Sequence, residues 1–147
     1  MRHISEWQVA ANGTPDPGPD NGTTDCNTAG EGPSLTGTRS GCVSARGAFD
    51  MVGNLAEWVA DWVPASTNCV GLAAFSDDDM CLAGAITTST FPGAWLRGGA
   101  FVVLGGPLAG PFAVRDMPPS LRARSFIGFR CARSSERMER HSSIDTD

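Results

Sequence analysis

The sequence predicts one folded α+β domain, rich in loops and low in regular secondary structure. Three observations lead there. Eighteen glycines and ten prolines among 147 residues interrupt the chain too often for a helical bundle. Apolar residues still make up 41 %, enough to bury a core and too many for a disordered chain. Only one stretch carries helical periodicity, and the other structured stretches are short and strand-like.

Residues 4–11 read as a short amphipathic helix. Ile4, Trp7, Ala10 and Ala11 fall on one face, Ser5 can cap the start, and Asn12-Gly13 stops it. Residues 12–47 are mostly Gly, Pro, Asn, Asp, Ser and Thr, a long loop of the kind that is functional or metal-held. Residues 48–63 are the most structured stretch, with a helical turn over Asn54–Trp58 and a strand over Val59–Val63. A second loop spans 64–93. A strand over Ala94–Val103 surrounds Arg97-Gly98-Gly99, Pro- and Gly-broken segments run to 125, and Ile127–Ala132 is a terminal strand. The domain is placed at 1–133, and the polar tail 134–147 is expected to be disordered.

The residue census excludes several chemistries. All eleven basic residues are arginine, tyrosine is absent, and the two histidines, His3 and His141, sit near the termini. Schiff-base and P-loop lysines and a tyrosine acid are excluded, and a Ser-His-Asp or Cys-His site is disfavoured. The net charge of −5 argues against nucleic acid as a partner. Residues 1–96 hold three arginines and eleven acids (−8), whereas 97–147 hold eight arginines and five acids (+3). No apolar run reaches the roughly 20 residues of a membrane span.

Cys26, Cys42, Cys69, Cys81 and Cys131 form no CxxC and have no histidine nearby, which disfavours zinc. Two pairs lie in loops, so the expected disulfides are Cys26–Cys42 and Cys69–Cys81, with Cys131 left over. Five reduced thiols are the alternative. The run Asp77-Asp78-Asp79 reads first as a solvated acidic loop and second as a cation site. No GxGxxG follows a strand, no GK[ST] exists, and the acids at 16 and 20 lack EF-hand spacing.

Three ordered blocks carry more. They are Gly47-Ala-Phe-Asp-Met-Val-Gly-Asn-Leu-Ala-Glu-Trp58 with the following Val-Ala-Asp-Trp62, then Leu96-Arg-Gly-Gly-Ala-Phe101, then Ile127-Gly-Phe-Arg-Cys-Ala132. In this order and spacing they resemble the formylglycine-generating enzyme family, the sulfatase-modifying factors. The segment Glu6-Trp7-x-x-Ala10 resembles the helix before that family's long loop. The resemblance implies a loop-rich variant of the C-type-lectin-like fold, often held by calcium. Family members carry a segment before this helix, so the chain reads as N-terminally truncated.

Asp50, Gly53, Leu55 and Glu57 match family positions that resemble a calcium site. Two carboxylates and two carbonyls suit calcium's demand for six to eight oxygens. The competing reading is that Asp50 and Glu57 cap the turn and satisfy arginines. The family's copper-binding cysteines correspond here to Val103 and to Leu108 or Pro107, and the serine of R-G-G-S is Ala100. Aliphatic side chains cannot bind copper(I), so copper and the oxidase activity are not expected.

The interval from Arg97-Gly-Gly to Gly-Phe-Arg130 matches the family's substrate groove. Its apolar residues and arginines suit a peptide, protein or small-molecule ligand. The candidate ligand-binding residues are Trp95, Arg97, Phe101, Arg115, Arg122 and Arg124. Arg97 and Arg130 also carry a structural reading, pairing with Asp61, Glu57 or buried carbonyls. Asn54, Trp58, Asp61, Arg130 and the four paired cysteines are read as structural. The expected function is a non-oxidase binding module, extracytoplasmic if the disulfides form. The alternatives are a formylglycine-generating-type enzyme, the accessory half of a multidomain enzyme, and a variable binding protein of a diversity-generating retroelement.

Overall fold

The computed structural model describes residues 3–16, 20–64, 66–85, 92–103, 106–117 and 124–132, with the side chains of 63, 64, 66–70, 82–85, 92 and 117 outside the description. One helix, α1 (Ile4–Ala11), precedes six strands. These are β1 (Ala56–Pro64), β2 (Ser66–Gly71), β3 (Asp79–Ala85), β4 (Pro92–Arg97), β5 (Val114–Met117) and β6 (Ile127–Phe129). They form one mixed sheet in the order β2-β3-β5-β4-β1-β6. The molecule is therefore α+β and loop-rich, as its composition predicts.

α1 spans the residues its periodicity marks, and it buries Trp7 and Ala11. Its start differs from the expectation. His3, not Ser5, is the capping position, and the Glu6 carboxylate accepts the His3 N–H at 3.1 Å. Asp61 of β1 accepts the Ile4 N–H at 2.5 Å and faces His3 Nδ1 at 3.2 Å, which ties the helix to the sheet. Trp7 and Ala11 pack with Met51, Val59, Cys81, Trp95 and Val114 into the main core.

Among its described residues the loop 12–47 carries no helix or strand beyond an isolated bridge from Val43 to Phe49. It is held by other means. Cys26 and Cys42 form a disulfide and pack against Val52 and Ala109. Arg39 and Asp20 form an ion pair at 2.9 Å with both side chains nearly buried. The Asn21 side chain accepts the N–H groups of Thr23, Thr24 and Asp25. Cys81 is also disulfide-bonded, its expected partner Cys69 lies outside the described side chains, and Cys131 is free and exposed.

The expected helical turn over Asn54–Trp58 is not formed. Asn54 takes a left-handed conformation (φ +57°), and the chain is already extended at Ala56. The competing interactions are all non-local. The Asn54 N–H donates to the Asn27 carbonyl at 2.7 Å, and its carbonyl accepts the Phe101 N–H at 3.1 Å. Its side chain accepts the Ser34 N–H and donates to the Ser34 carbonyl. Gly53 (φ +69°) lies so close to Asn27 that a β-carbon would sit 2.5 Å from that carbonyl oxygen. Only glycine fits both demands.

The expected strand over 94–103 ends at Arg97, because Gly98 and Gly99 both take positive φ and turn the chain away. The terminal strand is shorter than predicted and pairs in parallel with β1, Glu57 opposite Gly128. β2, β3 and β5 fall in segments expected to be loops. Their short sequences carry weak alternation, and pairing with neighbours decides their conformation. The tail 134–147 lies outside the described residues.

Candidate ligand groove and metal cradle

The three sequence blocks and the helix meet in one network. Glu57 is the register partner of Arg97 across β1 and β4. The buried Glu57 carboxylate accepts the Trp7 indole N–H at 2.9 Å. It also accepts Arg130 Nη2 at 2.7 Å and Nε at 3.0 Å, a forked, charge-assisted pair. Arg130 Nη2 further donates to the Phe49 carbonyl. Arg97 lies over the face of Trp7 at 4.5 Å and is 1 % exposed. Its guanidinium donates to the carbonyls of Pro111, Phe112 and Ala113 at 2.9–3.1 Å and to the Gln8 side chain. Burial lowers its pKa to about 10, which leaves it charged at neutral pH.

Beside this network Asp50, Asn54, Leu55 and Glu57 line a cavity of about 160 Å³ together with Thr36 and Arg130. Asp50 is buried in a left-handed conformation. Its Oδ2 accepts the Gly37 N–H at 2.9 Å, and its Oδ1 is buried without a partner. A buried carboxylate oxygen with no donor is costly unless something else satisfies it. A cation is chemically suited to that oxygen, and carboxylate and hydroxyl oxygens line the cavity beside the Arg130 guanidinium, Leu55 and Phe129. Glu57 contributes to the same cavity but is already answered by Arg130 and Trp7.

A larger cleft of about 400 Å³ opens beyond the Gly98-Gly99 turn. Leu96, Ala100, Val102, Val103, Leu108 and Phe126 supply most of its wall. Gly99 lets the two sides meet, because a β-carbon there would stand 2.4 Å from the Leu108 carbonyl oxygen. Arg115 and Asp116, on β5, are its charged lining residues. Arg115 is exposed, so its guanidinium is available to a ligand.

The structure thus separates the residues expected to bind ligand. Arg115 lines the cleft. Arg97 does not, being buried against Trp7 and three carbonyls. Trp95 and Phe101 are buried at 5 % and 6 % exposure, and Trp95 belongs to the main core. Arg124 is exposed outside the cleft lining, and Arg122 lies outside the described residues. Trp58 packs on the cluster of Ala56, Leu96 and Ala100. Val103 and Leu108 both face the cleft. Sequence reasoning passed over Gln8, Asn27 and Ser34. The signal available was Asn54 itself, a residue that needs partners for both ends of its amide.

The profile of the sulfatase-modifying factor enzyme 1-like domain matches residues 3–135. The chain belongs to this family. No curated relative and no solved structure matches it. Within this sulfatase-modifying factor domain, the three ordered sequence blocks supply Glu57, Arg97 and Arg130 of the network and the helix supplies Trp7. They hold helix, sheet and terminal strand together. No helix among the described residues is long and apolar enough to cross a membrane.

Two acids of the domain, Asp16 and Asp78, titrate above their usual range, both chiefly through burial. Burial, with Asp78 and Asp77 nearby, raises Asp16 to about 6. The folded state therefore keeps this proton longer than the unfolded state. Its contribution is fully present below the unfolded value near 4 and is lost as pH rises through 6. In metal-free buffer, urea midpoints between pH 4 and 7 should fall less steeply with pH for Asp16→Asn than for the wild type. Equal slopes would remove Asp16 as the cause.

Proposed function

We propose that this domain is a non-oxidase binding module whose ligand enters the cleft between Gly99, the 106–108 turn and β5. One observation carries this reading. Val103 and Leu108, which stand where the family's copper-binding cysteines are expected, both line an apolar cleft with Arg115 at its edge. Aliphatic walls desolvate an apolar ligand group, and an exposed guanidinium can receive a carboxylate or a peptide carbonyl. Neither wall residue supplies a thiolate, so copper-dependent oxidation has no ligand pair there. The ligand class is a peptide or small molecule with an apolar body and an acceptor group.

An apolar arenesulfonate such as 8-anilinonaphthalene-1-sulfonate tests the cleft. It is expected to bind the natively folded domain, about tenfold more weakly in Val103→Asp and several-fold more weakly in Arg115→Ala. Unchanged binding in both, with cooperative unfolding retained, would exclude the cleft as the site. Formylglycine formed on a sulfatase-derived peptide in the presence of copper would overturn the non-oxidase reading.

The same proposal includes a calcium ion held by the carboxylates of Asp50 and Glu57 and the carbonyls of Gly53 and Leu55. The unpartnered Asp50 Oδ1 supports it. The ion supplies charge balance and a fixed loop geometry, not reactivity. Chelation should lower the melting temperature by several degrees in the wild type and by less in Asp50→Asn. Equal responses would dissociate calcium from Asp50. The disulfide between Cys26 and Cys42 favours an oxidising, extracytoplasmic compartment.

A further inference from the structure

The acidic run at 77–79 is not the solvated loop its composition implies, because its middle member is fully buried. Asp78 Oδ2 accepts the Phe112 N–H at 2.9 Å, and the Asp78 N–H donates to Ser76 Oγ at 3.1 Å. Asp78 Oδ1 is buried and has no partner. Asp16 reaches the same place from the segment after α1. Carboxylate oxygens of Asp16, Asp77 and Asp78 lie within 4.8 Å of one another, and Ser76 Oγ donates to Asp16 Oδ2 at 3.4 Å. Thr14, which lines one cleft with Asp16 and Phe112, also has a buried hydroxyl without a partner.

Among the described residues no arginine forms an ion pair with these acids, and Arg97 acts on Asp78 only through space, more weakly than burial does. Arg39 pairs with Asp20, and Arg130 with Glu57. Arg97, the cation that lies on the far side of Phe112 in the hydrogen-bond chain, directs its Nη1 and Nη2 donors to carbonyls and Gln8. Three carboxylates converge, one wholly enclosed and one of its oxygens unsatisfied. Burial on those terms is strongly unfavourable without a counter-charge.

We infer that Asp16, Asp77 and Asp78 form a second divalent-cation site, suited to calcium. All the donors are hard oxygens. Calcium accepts an irregular shell of carboxylates and water, which side chains from separate segments can supply, whereas magnesium demands near-ideal octahedral geometry. Asp16 and Asp77 are exposed, so water completes the shell. The ion ties together the segments at 14–16, 76–78 and 110–113. Asp78 grips the last of these through Phe112, and Arg97 grips it through Pro111, Phe112 and Ala113. Ala113 lines the ligand cleft and leads into Arg115, so the ion braces one cleft wall.

Direct calcium binding at pH 7.5, counted by equilibrium dialysis and atomic emission, tests the site separately from the Asp50 cradle. In the Asp50→Asn background one calcium per chain is expected to remain. The exposed-residue pair Asp16→Asn/Asp77→Asn should weaken that ion at least tenfold while the protein stays folded. Asp78→Asn should weaken it as well and can still accept the Phe112 N–H through its amide oxygen. The site is overturned if Asp16→Asn/Asp77→Asn binds calcium as the parent does. It is equally overturned if Asp50→Asn, shown to be folded by circular dichroism, binds none, in which case the three acids share a proton instead. Loss of cleft binding with the second calcium intact would count against the proposed function alone.

Discussion

Replacing Arg97 by methionine should lower the unfolding free energy by on the order of 4 kcal/mol, since hydrogen bonds to a charged donor contribute about 1.5–3 kcal/mol each and orphaned buried carbonyls add to the loss. Methionine keeps most of the volume and some contact with Trp7. It offers nothing to the carbonyls of Pro111, Phe112 and Ala113, which Arg97 now satisfies. Three carbonyls from consecutive residues point to one guanidinium, so no single water can replace it. Arg97→Lys should fall between, because a point charge lacks the planar fork. Urea denaturation followed by tryptophan fluorescence measures both. A loss below about 1 kcal/mol for Arg97→Met would mean that the 111–113 segment finds other donors.

Glu57→Ala should be comparably severe, at about 3–5 kcal/mol, because removing one partner of a buried ion pair strands the other. Arg130 would lose its bidentate acceptor, and the Trp7 indole N–H would lose the carboxylate that accepts it. Glu57→Gln keeps the shape and an acceptor for Trp7 but not the charge. It should recover part of the loss. A double-mutant cycle with Arg130→Met isolates the pair. Additive effects would show that Glu57 and Arg130 are not coupled.

These two residues also mark how far the sequence can be read. The ordered blocks around Glu57, Arg97 and Arg130 were legible because each needs its residue type, and the family pattern repeats that need. The helix at 4–11 was legible because its periodicity is local. β2, β3 and β5 were not, since their residues gain a strand conformation only from neighbours far along the chain. Asn54 was misplaced into a helical turn for the same reason. Its local sequence permits a helix, but Asn27, Ser34 and Phe101 claim its backbone and side chain. Among the candidate ligand residues, Arg97 and Arg115 look alike in sequence. Only burial distinguishes a guanidinium consumed by carbonyls from one left open at a cleft.

The contact between the Gly53-Asn54 turn and the Gly98–Phe101 turn has a consequence for how this scaffold changes over time. The Gly53 N–H donates to the Gly98 carbonyl, and the Phe101 N–H donates to the Asn54 carbonyl. Both bonds run main chain to main chain. Such stitching specifies a path for the backbone and is indifferent to which side chains stand on the path beyond it. The exposed Val102, just beyond this stitching, can therefore change while the turn that carries it keeps its course, whereas Val103 is also held by its packing on the Cys26–Cys42 cluster. The path of the backbone at this junction is thus set by main-chain bonds, and a change of side chain at Val102 leaves both of them in place.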